Sequence, residues 1–284
     1  MEFLMGNLFD IFDQAIKNKL FTEYTFSYKN NVENISMFSK NSLAQFDIAS
    51  LSKVYATNIL YRIVNIPLQE SIPYFSQYTY EDLLNHQTYF LPWAPLFEEE
   101  NKDIFFLMQK YHTHPKKEYS DLNYIFLWEL SKKFCDPQLV LLNFFQKNHL
   151  QISFHPSEHF IFATEKNFQE ELFLKKKLPL RESNTVNDYN AYKGFLGHSG
   201  LFSNVEDLQT LNTIFLQDFL DRPFGLKTNK NFQENTFFLG HDAFTGCYSF
   251  FSQKFSFILL TNRLIYNKPD LTDFRKQLFL YFKI

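Results

Sequence analysis

The sequence has 284 residues, of which 45% are apolar and 19% aromatic, enough for one large domain or two lobes with a sizeable core. Its formal net charge at pH 7 is only −3, and its lysines and arginines form no long basic tract. Composition and charge therefore argue against a nucleic-acid-binding protein.

The first residues carry no positively charged segment, and Glu2, Asp10 and Asp13 interrupt their apolar run, which argues against a secretory signal peptide. No uncharged run approaches the roughly 18 to 20 residues of a membrane span. The only cysteines are Cys135 and Cys247, so reduced thiols are expected rather than a disulfide framework. We therefore expect a cytoplasmic protein that works away from membranes and without a cofactor.

The N-terminal part predicts a helix followed by two strands. Residues 7–20 carry apolar side chains at helical spacing, and Asn7 is their predicted N-cap. Residues 21–29 alternate as a strand does, the two asparagines that follow are typical of a turn, and residues 34–40 predict a second strand.

The middle of the chain predicts mainly helices. Apolar residues recur every three to four positions from Ile48 to Leu60, which predicts a helix from about 49 to 65 that ends near Pro67. Residues 80–180 are typical of helices joined by loops.

The C-terminal part predicts a helix, two strands and a final helix. The first helix covers residues 202–220, where Ser203 and Glu206 have the spacing of a capping box. Strand-like segments follow after about residue 236, in FTGCYSFFS and FSFILLTNR, and residues 268–282 predict the terminal helix.

Strands at both ends with helices between them predict an α+β fold. An antiparallel sheet would be built from both chain ends, flanked by the terminal helices, and would carry an inserted, mostly helical lobe. We expect a single domain over residues 1–284. Its sheet lobe would comprise about 1–48 and 195–284, and its helical lobe about 49–194.

Ser50 and Lys53 lie three residues apart in the predicted helix, so their side chains share one face. A serine hydroxyl is a weak nucleophile at neutral pH, and an amine with a lowered pKa can accept its proton. A serine near a helix N-terminus also gains from the positive end of the helix dipole. The pair is a candidate nucleophile and base, although the same pattern also fits the polar side of a buried helix.

The surrounding segment, FDIASLSKVYAT, resembles the one that carries the active-site serine in the serine β-lactamase / penicillin-binding protein superfamily, especially its class C-like esterase and D,D-peptidase branch. Four further segments resemble that branch in the expected order. YEDLLNHQTYFLPWAPLF is similar to its LLTHTSGLP region, and EYSDLNYIFLWEL to its Tyr-x-Asn element. TVNDYNAYKGFLGHSGLFSNVEDL is similar to a Gly-His-Ala-Gly-Leu-Phe-Ser stretch, and GHDAFTGCYSF with FILLTNR to the strand of its Lys/His-Thr-Gly element. The resemblance extends from about residue 8 to the C-terminus and implies a β-lactamase/transpeptidase-like fold.

The resemblance implies a role for each matching residue. Ser50 would be the acylated nucleophile, Lys53 would help to deprotonate it, and Tyr119 would transfer protons to the leaving group and from the deacylating water. Cationic neighbours would have to lower the phenol pKa, which is ordinarily near 10, or the phenol would act within a shared hydrogen-bond network. Asp121, where the family often has asparagine, would orient Lys53 or a substrate amide, and His241 would open the third element.

The resemblance also implies an oxyanion hole formed by the backbone N–H groups of Ser50 and Phe244. The third element, however, is His241-Asp242-Ala243 in this chain, so two substrate-binding positions differ. Asp242 replaces a hydroxyl and would repel a substrate carboxylate, and Ala243 adds a methyl group where glycine normally lets substrate lie along the strand. Asp242 could instead pair with His241 and keep it protonated. The segment NHQTYFLP also lacks the usual Ser-Gly.

Two functions stay open at this point. The first is a serine hydrolase that acts through an acyl-enzyme on an ester or amide, esterase-like or D,D-peptidase-like, with a small-molecule or peptide substrate, rather than an efficient β-lactamase. The second is a catalytically impaired protein of the same fold that binds or regulates. The oligomeric state is not predicted.

The remaining candidate residues have simpler interpretations. His198 is expected to support the glycine-containing loop around it, and Cys247 to be a small buried strand residue rather than a reactive thiol. Four histidines have loosely metal-like spacing, but no acidic or cysteine ligand set accompanies them, so no metal site is predicted. These histidines are His112, His114, His155 and His159.

Overall fold

The structure is a computed structural model that describes residues 2–41, 44–96, 99–154, 195–231, 236–263 and 271–284. The strands are Tyr24–Asn30 (β1), Asn34–Phe38 (β2), Phe46–Asp47 (β3), Ser71–Ile72 (β4), Phe75–Thr79 (β5), Phe202–Ser203 (β6), Lys227–Asn231 (β7), Thr236–Asp242 (β8), Tyr248–Phe251 (β9) and Phe255–Thr261 (β10). The α-helices are Glu2–Lys17 (α1), Ile59–Val64 (α2), Tyr80–Leu84 (α3), Ile104–Tyr111 (α4), Asp121–Ser131 (α5), Pro137–Lys147 (α6), Val205–Asp221 (α7) and Thr272–Phe282 (α8).

Six strands form one antiparallel sheet in the order β2-β1-β10-β9-β8-β7. The N-terminal strand β1 pairs directly with the C-terminal strand β10, with Phe26 opposite Leu259. The predicted α+β fold, with a sheet built from both chain ends, is therefore confirmed.

Both faces of this sheet are covered. On one face the terminal helices α1 and α8 pack together, and the rings of Phe12 and Phe274 meet at 5.5 Å between centroids. On the other face α7 packs against β1 and β10. Neighbouring residues of β10 accordingly point into different cores: Leu259 packs with the terminal helices, and Ile258 and Leu260 pack on the opposite side. A strand covered on both faces has a continuous apolar sequence, as FILL does here.

A third cluster of buried residues fills the lobe formed by α3, α4 and α5. Residues 155–194 of the predicted helical lobe lie outside the described residues, so the lobe boundaries stay a prediction. None of the described helices combines the length and the apolar character that crossing a bilayer requires.

Several boundaries differ from the sequence prediction. Helix α1 begins at Glu2 and not at Asn7, because Gly6 weakens a helix without ending it. The N-cap of α7 is Asn204, whose side-chain oxygen accepts the Asp207 N–H at 2.9 Å, and not Ser203, which lies in β6.

Two strand regions also differ. The edge strand β7 has the sequence KTNKN, which shows no apolar alternation, so it was not predicted; lysines are common on exposed edges. The predicted strand over 244–252 begins only at Tyr248, because residues 243–247 form a turn in which Gly246 has φ +75°.

Candidate active site

Ser50 lies at the start of a helical segment that directly follows β3. It is the central residue of a 3₁₀ turn, Ala49–Leu51, and is half-buried. Ala49 before it adopts a left-handed backbone with φ +41°, and its N–H donates to the Asp47 carboxylate at 2.8 Å. Such a conformation in a residue other than glycine costs of order 1–3 kcal/mol and persists only where the surroundings hold it.

The predicted helix over 49–65 is present but irregular. After the 3₁₀ turn, Lys53–Asn58 form a π-helical segment before α2 begins. All six residues of that segment are buried. Short π-helical segments recur at functional sites because they rotate the side chains that follow.

The Lys53 ammonium group is the centre of the site. The side chain is only 1% exposed. Its Nζ donates to Ser50 Oγ at 3.1 Å and to the His198 backbone carbonyl at 2.9 Å, and it lies 2.8 Å from the Asp121 carboxylate. A lysine has three N–H donors, and each of them has a partner here. The serine and the lysine therefore do form the predicted pair.

Burial and charge act in opposite directions on this lysine. Burial lowers the pKa of Lys53, because it penalises the charged form, and the Asp121 carboxylate opposes this. Burial alone would raise the pKa of Asp121, but the charge and hydrogen bond of Lys53, together with contributions from His198 and His86, hold that pKa below its usual range. The lysine is thus more easily deprotonated than in water while a nearby anion keeps it oriented.

Tyr119 closes the site from the loop before α5. The ring centroid lies 5.2 Å from Lys53 Nζ, and the hydroxyl group interacts with Ser50 and Asp121. The residue is 39% exposed, so it lies where the site meets solvent.

Of the two alternatives for Tyr119, a phenol pKa lowered by cationic neighbours does not agree with the structure. Burial raises the pKa of the phenol well above its ordinary value, and the negative charges of Asp121 and Asp242 add to this. The interaction with Ser50 only partly opposes the rise. The phenol therefore stays protonated and can donate a hydrogen bond within the site.

His241 lies near the end of β8, opposite Ser249 of β9. Its ring centroid is 5.8 Å from that of Tyr119, and its Nδ1 donates to the Asp242 backbone carbonyl at 2.7 Å. Burial and the charge of Lys53 lower the pKa of His241 to about 4. The ring is neutral at pH 7, so the alternative in which Asp242 keeps it protonated is wrong.

The Asp242 carboxylate pairs with two cations and not with His241. It forms ion pairs with Lys227 of β7 and with Arg275 of α8, the latter at 3.7 Å. Burial opposes ionisation of Asp242, but its partners, Lys227 first, hold its pKa below the usual range. The acid that interrupts the third element is therefore neutralised within the protein.

The turn after β8 lies beside the nucleophile. The Thr245 hydroxyl donates to the Asp47 carbonyl at 2.9 Å, three residues before Ser50. The turn is closed by the Ala243 N–H, which donates to the Cys247 carbonyl at 2.7 Å. Ala243 is buried, and Phe244, whose N–H the resemblance places in an oxyanion hole, is half-buried in this turn.

No protein-family model matches the sequence, and a search of curated proteins finds no match. Solved structures, in contrast, match almost the whole chain. A β-lactamase/D-alanine carboxypeptidase from Pseudomonas syringae gives a TM-score of 0.73 at 12% identity, covering 99% of this chain and 98% of that one. A class C β-lactamase from Rhodobacter sphaeroides gives 0.71 at 14% identity, with 95% and 96% covered. A D-amino acid amidase from Ochrobactrum anthropi SV3 gives 0.69 at 14% identity, with 95% and 97% covered.

The chain has the serine β-lactamase/penicillin-binding-protein-like fold. The resemblance read from five sequence segments is thus confirmed at the level of the fold. On this β-lactamase-like fold, Ser50, Lys53, Tyr119 and Asp121 converge as the resemblance implies.

Sequence reasoning missed three residues of this β-lactamase-like site. Lys227 lies in the unpredicted edge strand and Arg275 on the terminal helix, and nothing in their local sequence linked them to Asp242. His86 packs against Tyr119, with 4.5 Å between ring centroids. In the sequence, the segment that contains His86, NHQTYFLP, differs visibly from the resembling family only in lacking the usual Ser-Gly.

Each of the remaining candidate residues that the structure describes has contacts within the protein. His198 contributes its backbone carbonyl to Lys53. His112 contacts the Tyr78 hydroxyl at 2.7 Å, and His114 lies 2.6 Å from Glu118. Cys247 is fully buried, and burial raises its pKa to about 12, as expected for an inert thiol. His155 and His159 lie outside the described residues.

Proposed function

We propose that this protein is a serine hydrolase that forms an acyl-enzyme at Ser50 on an uncharged ester or amide substrate. The observation that supports it best is the set of contacts of Lys53, a buried amine 3.1 Å from the serine hydroxyl and held by Asp121. Burying a lysine amine costs free energy, and a lysine with only a structural role would not need to be buried against a half-exposed serine.

The proposed reaction begins with the neutral Lys53 amine. It accepts the Ser50 proton while Oγ forms a bond to the substrate carbonyl carbon, and the carbonyl electrons move to the oxygen. The N–H groups of Ser50 and Phe244 are the proposed donors to that oxyanion; losing one such donor typically costs about 2.7–4 kcal/mol.

Collapse of the tetrahedral intermediate breaks the bond to the leaving oxygen or nitrogen. The protonated Tyr119 gives its proton to the leaving group and recovers one from Lys53. The raised pKa keeps the phenol protonated, so it has a proton to give. Water then attacks the acyl-enzyme by the same steps in reverse order, which releases the acid and restores the Ser50 hydroxyl.

The surroundings of Asp242 favour an uncharged substrate. Its carboxylate already pairs with Lys227 and Arg275, two cations near this end of the sheet. A substrate carboxylate would have to displace it or bind beside it, and two like charges at close range repel. Neutral esters, amides or capped peptides avoid this conflict.

Labelling with a fluorophosphonate tests the proposal. We expect the wild type to gain one adduct, which tandem mass spectrometry places on Ser50, and to give a burst with p-nitrophenyl esters. Ser50→Ala should abolish both, whereas Ser52→Ala should still be labelled, because Ser52 is a buried serine that accepts the Leu201 N–H. If the folded wild type is neither labelled nor active, the proposal fails and the alternative of a non-catalytic binding or regulatory protein replaces it.

A cytoplasmic location belongs to the same proposal, and the two free cysteines, Cys135 and Cys247, support it. Cell fractionation with an antibody to the protein tests it directly. Recovery of the protein from outside the cytoplasm would overturn this part alone.

A further inference from the structure

His86 lies between a short helix and the loop that carries Tyr119. Helix α3 begins with a capping box formed by Thr79 and Asp82 and is followed by His86 in a left-handed conformation with φ +57°. The His86 N–H donates to the Leu83 carbonyl at 3.1 Å, which closes the turn. This backbone directs the imidazole towards the site.

The His86 ring makes two contacts with the Tyr119 loop. It packs against the Tyr119 ring in a tilted arrangement, with 4.5 Å between centroids and 37° between planes. Its Nδ1 accepts the backbone N–H of Ser120 at 3.1 Å. Ser120 is the residue after Tyr119 and the N-cap of α5, so one imidazole restrains both the phenol ring and the backbone beside it.

A second hydrogen-bonded side chain supports the imidazole. Asn123, on the first turn of α5, places its Nδ2 3.4 Å from His86 Nδ1, and its Oδ1 accepts the Thr88 hydroxyl at 2.6 Å. Thr88 follows His86 by two residues, so the turn and the helix that it faces are joined on both sides of the imidazole. Asn123 and Thr88 are fully buried.

We propose that His86 is a positioning residue that holds the Tyr119 hydroxyl beside Ser50 and so sets the rate at which the serine is acylated. This inference rests on the proposed function, because it assigns His86 a role that acts through Tyr119.

The charge state of His86 agrees with this role. Burial, together with the positive charge of Lys53, lowers the pKa of His86 to about 3, so the ring is neutral at pH 7. A neutral imidazole whose Nδ1 accepts a hydrogen bond carries its proton on Nε2. A protonated ring could not accept the Ser120 N–H and would repel Lys53.

Three variants separate the two contacts. His86→Gly removes both and suits the left-handed backbone. His86→Asn keeps an acceptor near the Nδ1 position and also tolerates this backbone, but it lacks the ring. His86→Phe keeps the ring and lacks the acceptor. We expect His86→Gly to slow fluorophosphonate labelling of Ser50 by about 10- to 100-fold, as small displacements of reacting groups do, and His86→Asn to recover part of the loss.

His112 offers a matched control. It is another partly buried histidine of the same lobe that packs against aromatic rings, but its tyrosine is Tyr78, whose ring it meets edge-on and whose hydroxyl it contacts at 2.7 Å. His112→Ala should lower the thermal unfolding temperature to a similar extent and leave the labelling rate of the folded protein unchanged.

A double-mutant cycle gives the sharpest readout. Tyr119→Phe keeps the ring and removes the hydroxyl that His86 is proposed to position. If His86 acts through that hydroxyl, adding His86→Gly to Tyr119→Phe should slow labelling by less than about twofold, because the two losses are not additive. With an ester substrate, His86→Gly alone should lower kcat and leave KM nearly unchanged.

Two outcomes would overturn the inference while wild type is labelled. In the first, His86→Gly is labelled as fast as wild type. In the second, His86→Gly slows labelling by the same large factor in wild type and in Tyr119→Phe. The latter would make His86 a general structural residue. Absence of labelling in the wild type is a different result, because it removes the proposed function itself.

Discussion

The carboxylate of Asp121 lies 2.8 Å from the ammonium group of Lys53, at a position where the resembling family often carries an uncharged asparagine. The carboxylate stabilises the protonated amine and therefore opposes the effect of burial on the Lys53 pKa. The pair thus sets how much of the amine is neutral, and available as a base, at a given pH.

Asp121→Asn should shift the acidic limb of the pH–rate profile to lower pH. Removing the anion lowers the pKa of Lys53 further, so the neutral amine persists into more acidic solution. We expect the plateau rate to fall by up to about tenfold, because Lys53 loses a partner that orients it. The second-order rate of fluorophosphonate labelling, measured from pH 5 to 10, gives both quantities.

Asp136→Asn is the control for that experiment. Asp136, like Asp121, lies at the start of a helix; its side chain accepts the Leu139 N–H at 3.0 Å as an N-cap, and asparagine can replace it in that role. Its profile should match wild type. An Asp121→Asn profile whose acidic limb stays in place or moves to higher pH would contradict the assignment of Lys53 as the base.

Three buried histidines should make the protein sensitive to mild acid. Burial lowers the pKa to about 3 for His86 and to about 4 for His198 and His241. Unfolded histidines titrate near 6.5, so below that pH the unfolded chain binds protons that the folded chain does not. Stability is therefore retained above pH 6.5 and is lost as the pH falls from 6.5 towards 4. Three such protons give a slope of up to about 4 kcal/mol per pH unit.

Urea unfolding between pH 5 and 7.5 measures that slope. His198→Gln should reduce it by about one proton, or roughly 1.4 kcal/mol per pH unit. A free energy of unfolding that stays constant from pH 6.5 to 5 would show that these histidines are not neutral in the folded protein.

The fold and part of the site could be predicted because they depend on local pattern. The three-residue spacing of Ser50 and Lys53 placed both on one helical face, and the apolar run of β10 marked a buried strand. Tyr119 has no such signal, since nothing near it in the sequence points to Ser50. Only the resemblance of its segment linked the two.

The remaining features depend on tertiary contacts. The partners of Asp242 come from an edge strand without apolar alternation and from the terminal helix, so the charge balance at Asp242 could not be read from its own segment. The pKa of Tyr119 is raised and not lowered, and the sequence could not show this for a related reason. A list of nearby charged residues omits burial, which is the largest influence on that phenol.

Asp242→Thr should broaden the substrate range towards carboxylates. The change releases Lys227 and Arg275 from their internal partner, so both can bind a substrate anion. We expect kcat/KM for an ester that bears a carboxylate to rise about tenfold relative to its methylated analogue, which corresponds to about 1.4 kcal/mol for a partly exposed charge interaction. The pair of substrates is compared within each variant, so a general loss of activity cancels.

Asp273→Asn is the charge-matched control. Asp273 is an exposed residue of α8, the helix that carries Arg275, and it forms its ion pair with Lys276. It changes the net charge equally and should leave the ratio as in wild type. If Asp242→Thr leaves the ratio unchanged, the carboxylate does not govern substrate charge.

Gly246→Ala should destabilise the turn that joins β8 to β9. Gly246 has φ +75°, and an added Cβ would lie 2.6 Å from side-chain carbons of Arg263 and 2.6 Å from Thr261 Oγ1. Arg263 is buried, so it has little room to move. We expect a loss of about 1–3 kcal/mol in the free energy of unfolding, from backbone strain and crowding together.

Because the same turn carries the Phe244 N–H, labelling of Ser50 should also slow in Gly246→Ala protein that is still folded. Thermal melts and labelling at a temperature well below the transition separate the two effects. Wild-type stability in this variant would show that the turn can open without affecting its neighbours, and would remove the reason to place an oxyanion donor there.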